Sequence, residues 1–279
     1  MKRLFTLILA LLLALVPALA FCEGAGTGTD TGEGRTFPGG EDHATWTLAD
    51  FPDRFNETYP STVEVIPFMA ESEVPNEIIH IKGEGEGPVI CYVCGLHGDE
   101  KAGWIAGNLM KSITLKAGEI YILAPANVYG ASIDQRTTKA GFDPNRYFPG
   151  KADGTDVEQL DYWIYEFISS VKPALVMDLH EGLVHTDGVD NLGNSVIFED
   201  ATLMPDLILD IVFASDDDDL CGGLTVYGTP PEGSLNRTVT RSLGIPVITV
   251  ETCRGEALGI RVDKQLELEE FILRHEGLY

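Results

Sequence analysis

Three side chains of metal-ligating type fall where the chain leaves a buried strand. In GLHGDE (95–100), His97 and Glu100 follow directly on the apolar run PVICYVCG and lead into a helical stretch. Three residues of spacing at a helix start bring an imidazole nitrogen and a carboxylate oxygen to one point, and both are good zinc ligands. Alone, such a pair also occurs by chance on surfaces. In MDLHEG (177–182), His180 ends a second buried strand. Alone, it reads as a core histidine bonded to backbone. Sites in open α/β sheets lie beyond the carboxyl ends of the strands, which puts both histidines at one edge. Two His and one Glu leave a fourth position open for water, so the expected cofactor is one catalytic Zn2+ ion. A third apolar strand ends on Glu251 in VITVETCRG. A carboxylate there can take a proton from the attacking water and return it to a leaving amine. In a chain with 44 acids the plain alternative is a solvated strand-end carboxylate. Asp178 lies two residues before His180, on the same side of the strand, and is placed to support the imidazole.

Between the first two ligands and the third runs the loop IDQRTTKAGFDPNRYFPG (133–150). It holds Arg136 and Arg146 in a chain with only 19 Lys and Arg. Guanidinium forks suit a carboxylate, so the expected partner is a small carboxylate-bearing substrate or a peptide. Salt bridges to the abundant acids are the alternative.

The elements that must position these groups follow from patterning. TVEVIPF (62–68) and EIIHIKG (77–83) read as an antiparallel opening pair. The runs 88–95, 119–125, 174–180, 195–200, 223–228 and 245–252 read as strands, several continuously apolar as in a sheet covered on both faces. Helical faces occupy 100–111, 202–214, 234–243 and 261–275. Another begins at Asp156, taken as its cap, and 126–155 reads as loop. Alternating strands and helices predict an α/β fold: one three-layer α/β/α sandwich with a mixed, mainly parallel central sheet.

The flanks bear on location. Lys2 and Arg3, an apolar run to Leu15 and Ala18-Leu19-Ala20 form a secretory signal, with cleavage after Ala20. The run is short for a bilayer span, so no stable membrane span is expected after cleavage. A membrane anchor, or lipid on Cys22 behind the large Phe21, is the alternative. Residues 21–40 form a flexible Gly/Thr-rich leader, and 41–279 the catalytic domain. The expected location is secreted or cell envelope. Removing Lys2 and Arg3 takes the formal charge from −25 to −27, because the first 20 residues hold no acid. So acidic a surface repels phosphate backbones and excludes nucleic acid as a partner. The run Asp216–Asp219 lacks the alternating spacing of a calcium loop and reads as a solvated turn. Cys91 and Cys94, three apart on a strand, face opposite sides and read as buried free thiols, while a bridge at Cys221 or Cys253 stays open.

Taken together, GLHGDE, DPNRYFPG, MDLHEG and VITVET resemble the zinc carboxypeptidase superfamily, closest to its succinylglutamate desuccinylase/aspartoacylase branch. The resemblance covers roughly residues 62–277. It implies zinc on His97, Glu100 and His180, with Glu251 as general base. It further implies that Asn145 and Arg146 bind the substrate carboxylate and that Arg136 stabilises the oxyanion. Pro144 stands where the family more often has Leu, and Tyr147 where the peptidase branch has a second Asn. Both departures bear on the substrate. Tyr227 is a candidate for the substrate-contacting Tyr of the peptidase branch or for a packed strand residue, and His185 reads as a loop or pocket residue. The activity implied is hydrolysis of an amide bond beside a free carboxylate, as in a deacylase. The alternatives are a metallocarboxypeptidase acting on peptides or cell-wall stems, and a secreted binding protein without turnover.

Overall fold

The computed structural model describes residues 43–182, 192–217 and 220–279. The segments expected to be signal and leader, and His185, Asp218 and Asp219, lie outside the described residues. In chain order the elements are β1 (Ser61–Phe68), β2 (Asn76–Gly83), β3 (Gly85–Cys94), α1 (Lys101–Met110), β4 (Ala117–Leu123), α2 (Val128–Ser132) and α3 (Asp156–Val171). Then follow β5 (Leu175–Gly182), β6 (Ser195–Phe198), α4 (Pro205–Asp217), β7 (Thr225–Gly228), α5 (Leu235–Leu243), β8 (Val247–Cys253) and α6 (Leu258–His275).

The strands form one eight-stranded sheet in the order β1-β2-β4-β3-β5-β8-β6-β7. Its centre, β4-β3-β5-β8, is parallel, as is β6-β7, while β1-β2, β2-β4 and β8-β6 are antiparallel. The mixed, mainly parallel three-layer arrangement and the opening hairpin read from the sequence are both present.

Period-two alternation sorts the central strands into two cores. Leu175, Met177 and Leu179 of β5 and Ile248 and Val250 of β8 join the core under α1, α4 and α6. Val176 and Val247 join the core under α3 and α5. Burying each such aliphatic side chain contributes about 1.5–3 kcal/mol. The same alternation puts Asp178, His180, Thr249 and Glu251 on the α3/α5 side and Glu181 on the α1/α6 side. Cys91 and Cys94 fall in different cores, as their spacing implies, and are free. Cys221 is also a buried free thiol, and Cys253 is disulfide-bonded.

Two details differ from the sequence reading. Thr155, not Asp156, caps α3: its backbone N–H and hydroxyl donate to Glu158 Oε2 at 2.9 and 3.0 Å. Asp156 is the first helical residue and accepts the Ala140 N–H at 2.8 Å, which ties the long loop to the helix. That loop also contains the short α2, capped by Asn127 through the Gly130 N–H. No helix among the described residues is long and apolar enough to cross a membrane.

Candidate metal centre

The turn from β3 into α1 is built around glycine. Gly95 has φ +74°, which favours a residue without Cβ, and a Cβ on Gly98 would lie 2.0 Å from the Gly130 carbonyl carbon. This close approach to α2 seats His97 and Glu100 beside the end of β5. The ligand atoms of His97, Glu100 and His180 all lie within 4.8 Å of one another, and all three residues are buried. His97 Nδ1 is 2.8 Å from Glu100 Oε1, His180 Nδ1 is 2.7 Å from Glu100 Oε2, and the two Nδ1 atoms are 3.0 Å apart.

The outer ring nitrogens bear on what this cluster could hold. His97 Nε2 lies 2.9 Å from Asp143 Oδ1, and His180 Nε2 lies 2.9 Å from Asp178 Oδ1. A carboxylate at Nε2 fixes the proton there and turns the Nδ1 lone pair inward. Two inward lone pairs and a carboxylate then converge on one point. Such a donor set repels itself around anything but a cation, and its N/O composition fits zinc. Asp178 occupies the supporting place expected of it, and Thr249 Oγ1 donates to its other oxygen at 3.1 Å.

Register places the candidate base. In the β5–β8 pair His180 stands opposite Glu251, and Asp178 opposite Thr249. Glu251 is buried and lines the cavity of about 350 Å³ that the three ligands share with Arg136, Arg146 and Arg254. Burial, and then the negative charge of Glu100, push its carboxyl up to about 8. A cation held by the triad opposes that shift, since opposite charge favours the carboxylate. A larger groove of about 670 Å³ runs beside Phe68, Met69 and Trp163, but it includes none of these ligand residues.

Both loop arginines line the cavity. Arg136 donates to Glu100 Oε1 from Nη1 at 2.9 Å and grips Asp143 Oδ2 through Nε and Nη2 at 3.2 and 3.0 Å. Burial opposes ionisation of Asp143, but His97 and the Arg136 guanidinium hold its carboxyl well below the usual range. Arg146 lines the cavity and donates to the Asn145 carbonyl at 2.6 Å. Asn145 also lines it, but its amide oxygen accepts the Leu235 N–H at 2.8 Å and its Nδ2 sits 3.2 Å from His180 Nε2. Its oxygen thus ties the loop to α5, while Nδ2 and the protonated His180 Nε2 are both donors, which leaves the Nδ2 hydrogens for another acceptor. Tyr227 is placed differently from the substrate-contact expectation. The four-residue β7 pairs it with Ile197 at the sheet edge, and it is not among the residues lining the cavity.

Three groups at the centre were not singled out from the sequence. Asp143 supports His97 from 46 residues away; its signal was an acid two residues before Asn145-Arg146. Glu181 accepts the Ala102 N–H at 2.9 Å and pairs with Arg261, locking the end of β5 to α1 and α6. Its signal was an acid directly after a ligand histidine, facing the other side. Arg254 pairs with Asp99 at 3.1 Å; its signal was a cation three residues past Glu251.

No family model matches the sequence, and no curated protein matches it. Solved structures do match. A succinylglutamate desuccinylase from Silicibacter sp. TM1040 is 19% identical, over 80% of this chain and 69% of that one, with a TM-score of 0.56. The product-bound ectoine utilization protein EutE (DoeB) from Ruegeria pomeroyi is 20% identical, over 80% and 69%, with a TM-score of 0.60. The cell shape determinant protein Csd4 from Helicobacter pylori is 18% identical, over 73% of this chain and 55% of that one, with a TM-score of 0.62. The fold is therefore one this chain shares with these solved structures, desuccinylase and aspartoacylase structures among them.

Proposed function

We propose that the chain is an exported zinc-dependent hydrolase that cleaves an amide bond beside a free carboxylate. The observation that carries this reading is the pair of histidines, each with a carboxylate at Nε2 and both presenting Nδ1 with Glu100 to one point beside Glu251. His97, Glu100 and His180 would hold the ion. Zinc bound there would supply a Lewis acid for the scissile carbonyl and make the attacking water acidic. Glu251 accepts that water's proton and delivers it to the leaving amine. Arg136 turns a guanidinium N–H to the oxygen on which negative charge develops. Arg146, braced through Asn145, receives the substrate carboxylate. Asp143 and Asp178 keep each imidazole in its ligating tautomer.

A cavity of about 350 Å³ is small among ligand sites, which supports an N-acyl amino acid as substrate. The likeness in fold to a cell shape determinant supports a second reading, a metallocarboxypeptidase acting on peptides or cell-wall stems. Metal analysis followed by a screen of N-acyl amino acids and peptides separates the two. Glu251→Gln carries the test of mechanism: zinc content unchanged, turnover lower by about a hundred- to ten-thousand-fold. Retained activity removes Glu251 as the base, and lost zinc makes it structural. Zinc binding with no turnover of any candidate would favour a binding protein. Export predicts a mature chain beginning at Phe21, which N-terminal sequencing reads directly.

A further inference from the structure

The two oxygens of Glu100 keep different company. Oε2 faces His180 Nδ1 at 2.7 Å and accepts the Glu181 N–H at 3.0 Å. Oε1 faces His97 Nδ1 at 2.8 Å and accepts from Arg136 Nη1 at 2.9 Å. A second guanidinium stands behind it, with Arg254 Nη2 3.4 Å from the same Oε1. Arg254 is fixed from two sides. Its Nη1 donates to Asp99 Oδ2 at 3.1 Å, and its backbone N–H extends the β5–β8 pairing onto Gly182 O at 3.0 Å. The two arginines differ in their mounting: the Arg136 side chain is 40% exposed on a loop, the Arg254 side chain 21% exposed just past a buried strand.

This arrangement answers a conflict in the reaction. Arg136 must turn to the scissile carbonyl, yet at rest it is bonded to Glu100. Leaving would take from Glu100 Oε1 a charged hydrogen bond that, beside a bound ion, holds that oxygen in place. We propose that Arg254 is a positioning residue that takes over Glu100 Oε1 and so frees Arg136 for the substrate. The inference rests on the zinc-hydrolase reading above. Arg254 needs both prongs of its fork, one on Asp99 and one on Glu100, so lysine cannot fully replace it.

Two measurements on the full chain test the role. The first is zinc affinity, read by competition with a metal chelator. A cation within reach of Glu100 competes with zinc for its charge, so Arg254→Met should bind zinc about three- to tenfold more tightly. A residue that only held the fold together would, when removed, weaken zinc binding. The second is a kinetic cycle on the substrate the screen returns. Arg254→Met should lower kcat about tenfold with KM unchanged, because Arg136 stays held by Glu100. In the Arg136→Met background the same change should cost no further kcat. Arg254→Lys, which keeps the charge and the stem, should fall between wild type and Arg254→Met, and it serves as the second variant if Met prevents folding. Weaker zinc binding, a shift confined to KM, or additive losses in the cycle would each overturn the proposal. A wild-type protein that binds no zinc would instead remove the function reading itself, leaving the two failures distinct.

Discussion

The two halves of the proposed metal centre are mounted in different ways. His180 stands on β5, in the middle of the sheet, and its support Asp178 comes from the same strand and is fully buried. His97 stands on a glycine-bounded turn, and its support Asp143 comes from a loop and is 24% exposed. The strand-borne half is fixed by ladder hydrogen bonds and core packing on both faces. The loop-borne half is fixed by a chain of charges from His97 through Asp143 to Arg136. One half owes its geometry to burial and the other to electrostatics, so they should fail under different insults.

That contrast breaks most sharply with the two supporting acids. Asp178→Ala should weaken zinc binding about a hundredfold, the upper end for a carboxylate behind a ligand histidine. It also strands the Thr249 hydroxyl, so unfolding should become easier by about 1–3 kcal/mol. Asp143→Ala should cost only about tenfold in zinc affinity, because water can reach His97 Nε2 through the opened loop. Chelator competition and denaturant melts check both. Equal losses at the two positions would erase the distinction between the halves.

A smaller effect sharpens it. Asp161 on α3 is fully buried near the loop that carries Asn145 and Arg146, and only the Tyr147 N–H is drawn toward its carboxyl. Burial first, and then the charges of Asp143 and Glu158, push its carboxyl up to about 9, against the pull of the Tyr147 N–H. The folded state therefore holds a proton that the unfolded chain releases at ordinary acid pH. The stability this gives is fully present below about pH 4 and is lost as pH rises through 9. The melting temperature should decline from pH 5 to 9 by roughly 2–4 °C per kcal/mol at this chain length. Asp161→Asn should flatten that decline, and an unchanged slope would show that Asp161 does not titrate in this way.

The same division explains what the sequence disclosed. Asp178 was legible because a strand has period two, so a residue two before His180 must share its side. The positions of His97, His180 and Glu251 were legible because each follows or ends a run of apolar residues and strand ends gather at one sheet edge, and that of Glu100 because it lies three residues past His97 at a helix start. Asp143 was not, since nothing local ties residue 143 to residue 97; the link is made by a loop whose path depends on α2 and on the Asp156 contact with Ala140. Arg254 was missed for a related reason, as the turn after β8 is aimed by Asp99 on another element. Tyr227 follows the strand alternative left open for it, because β6 lies between β8 and β7 and holds it toward the sheet edge.

The pairing of His180 with Glu251 has a consequence for how such a site can change over time. Side chains along β8 alternate between an apolar core and the cavity, so deleting one residue upstream of Glu251 would exchange the two sets. Val250 or Thr252 would then face the ion, and Glu251 would enter the packing beneath α1 and α6. Point substitution can adjust this centre by degrees, whereas a one-residue insertion or deletion in β8 abolishes it outright. Drift in length among related chains should therefore accumulate in the loops and spare the seven residues from Val247 to Cys253.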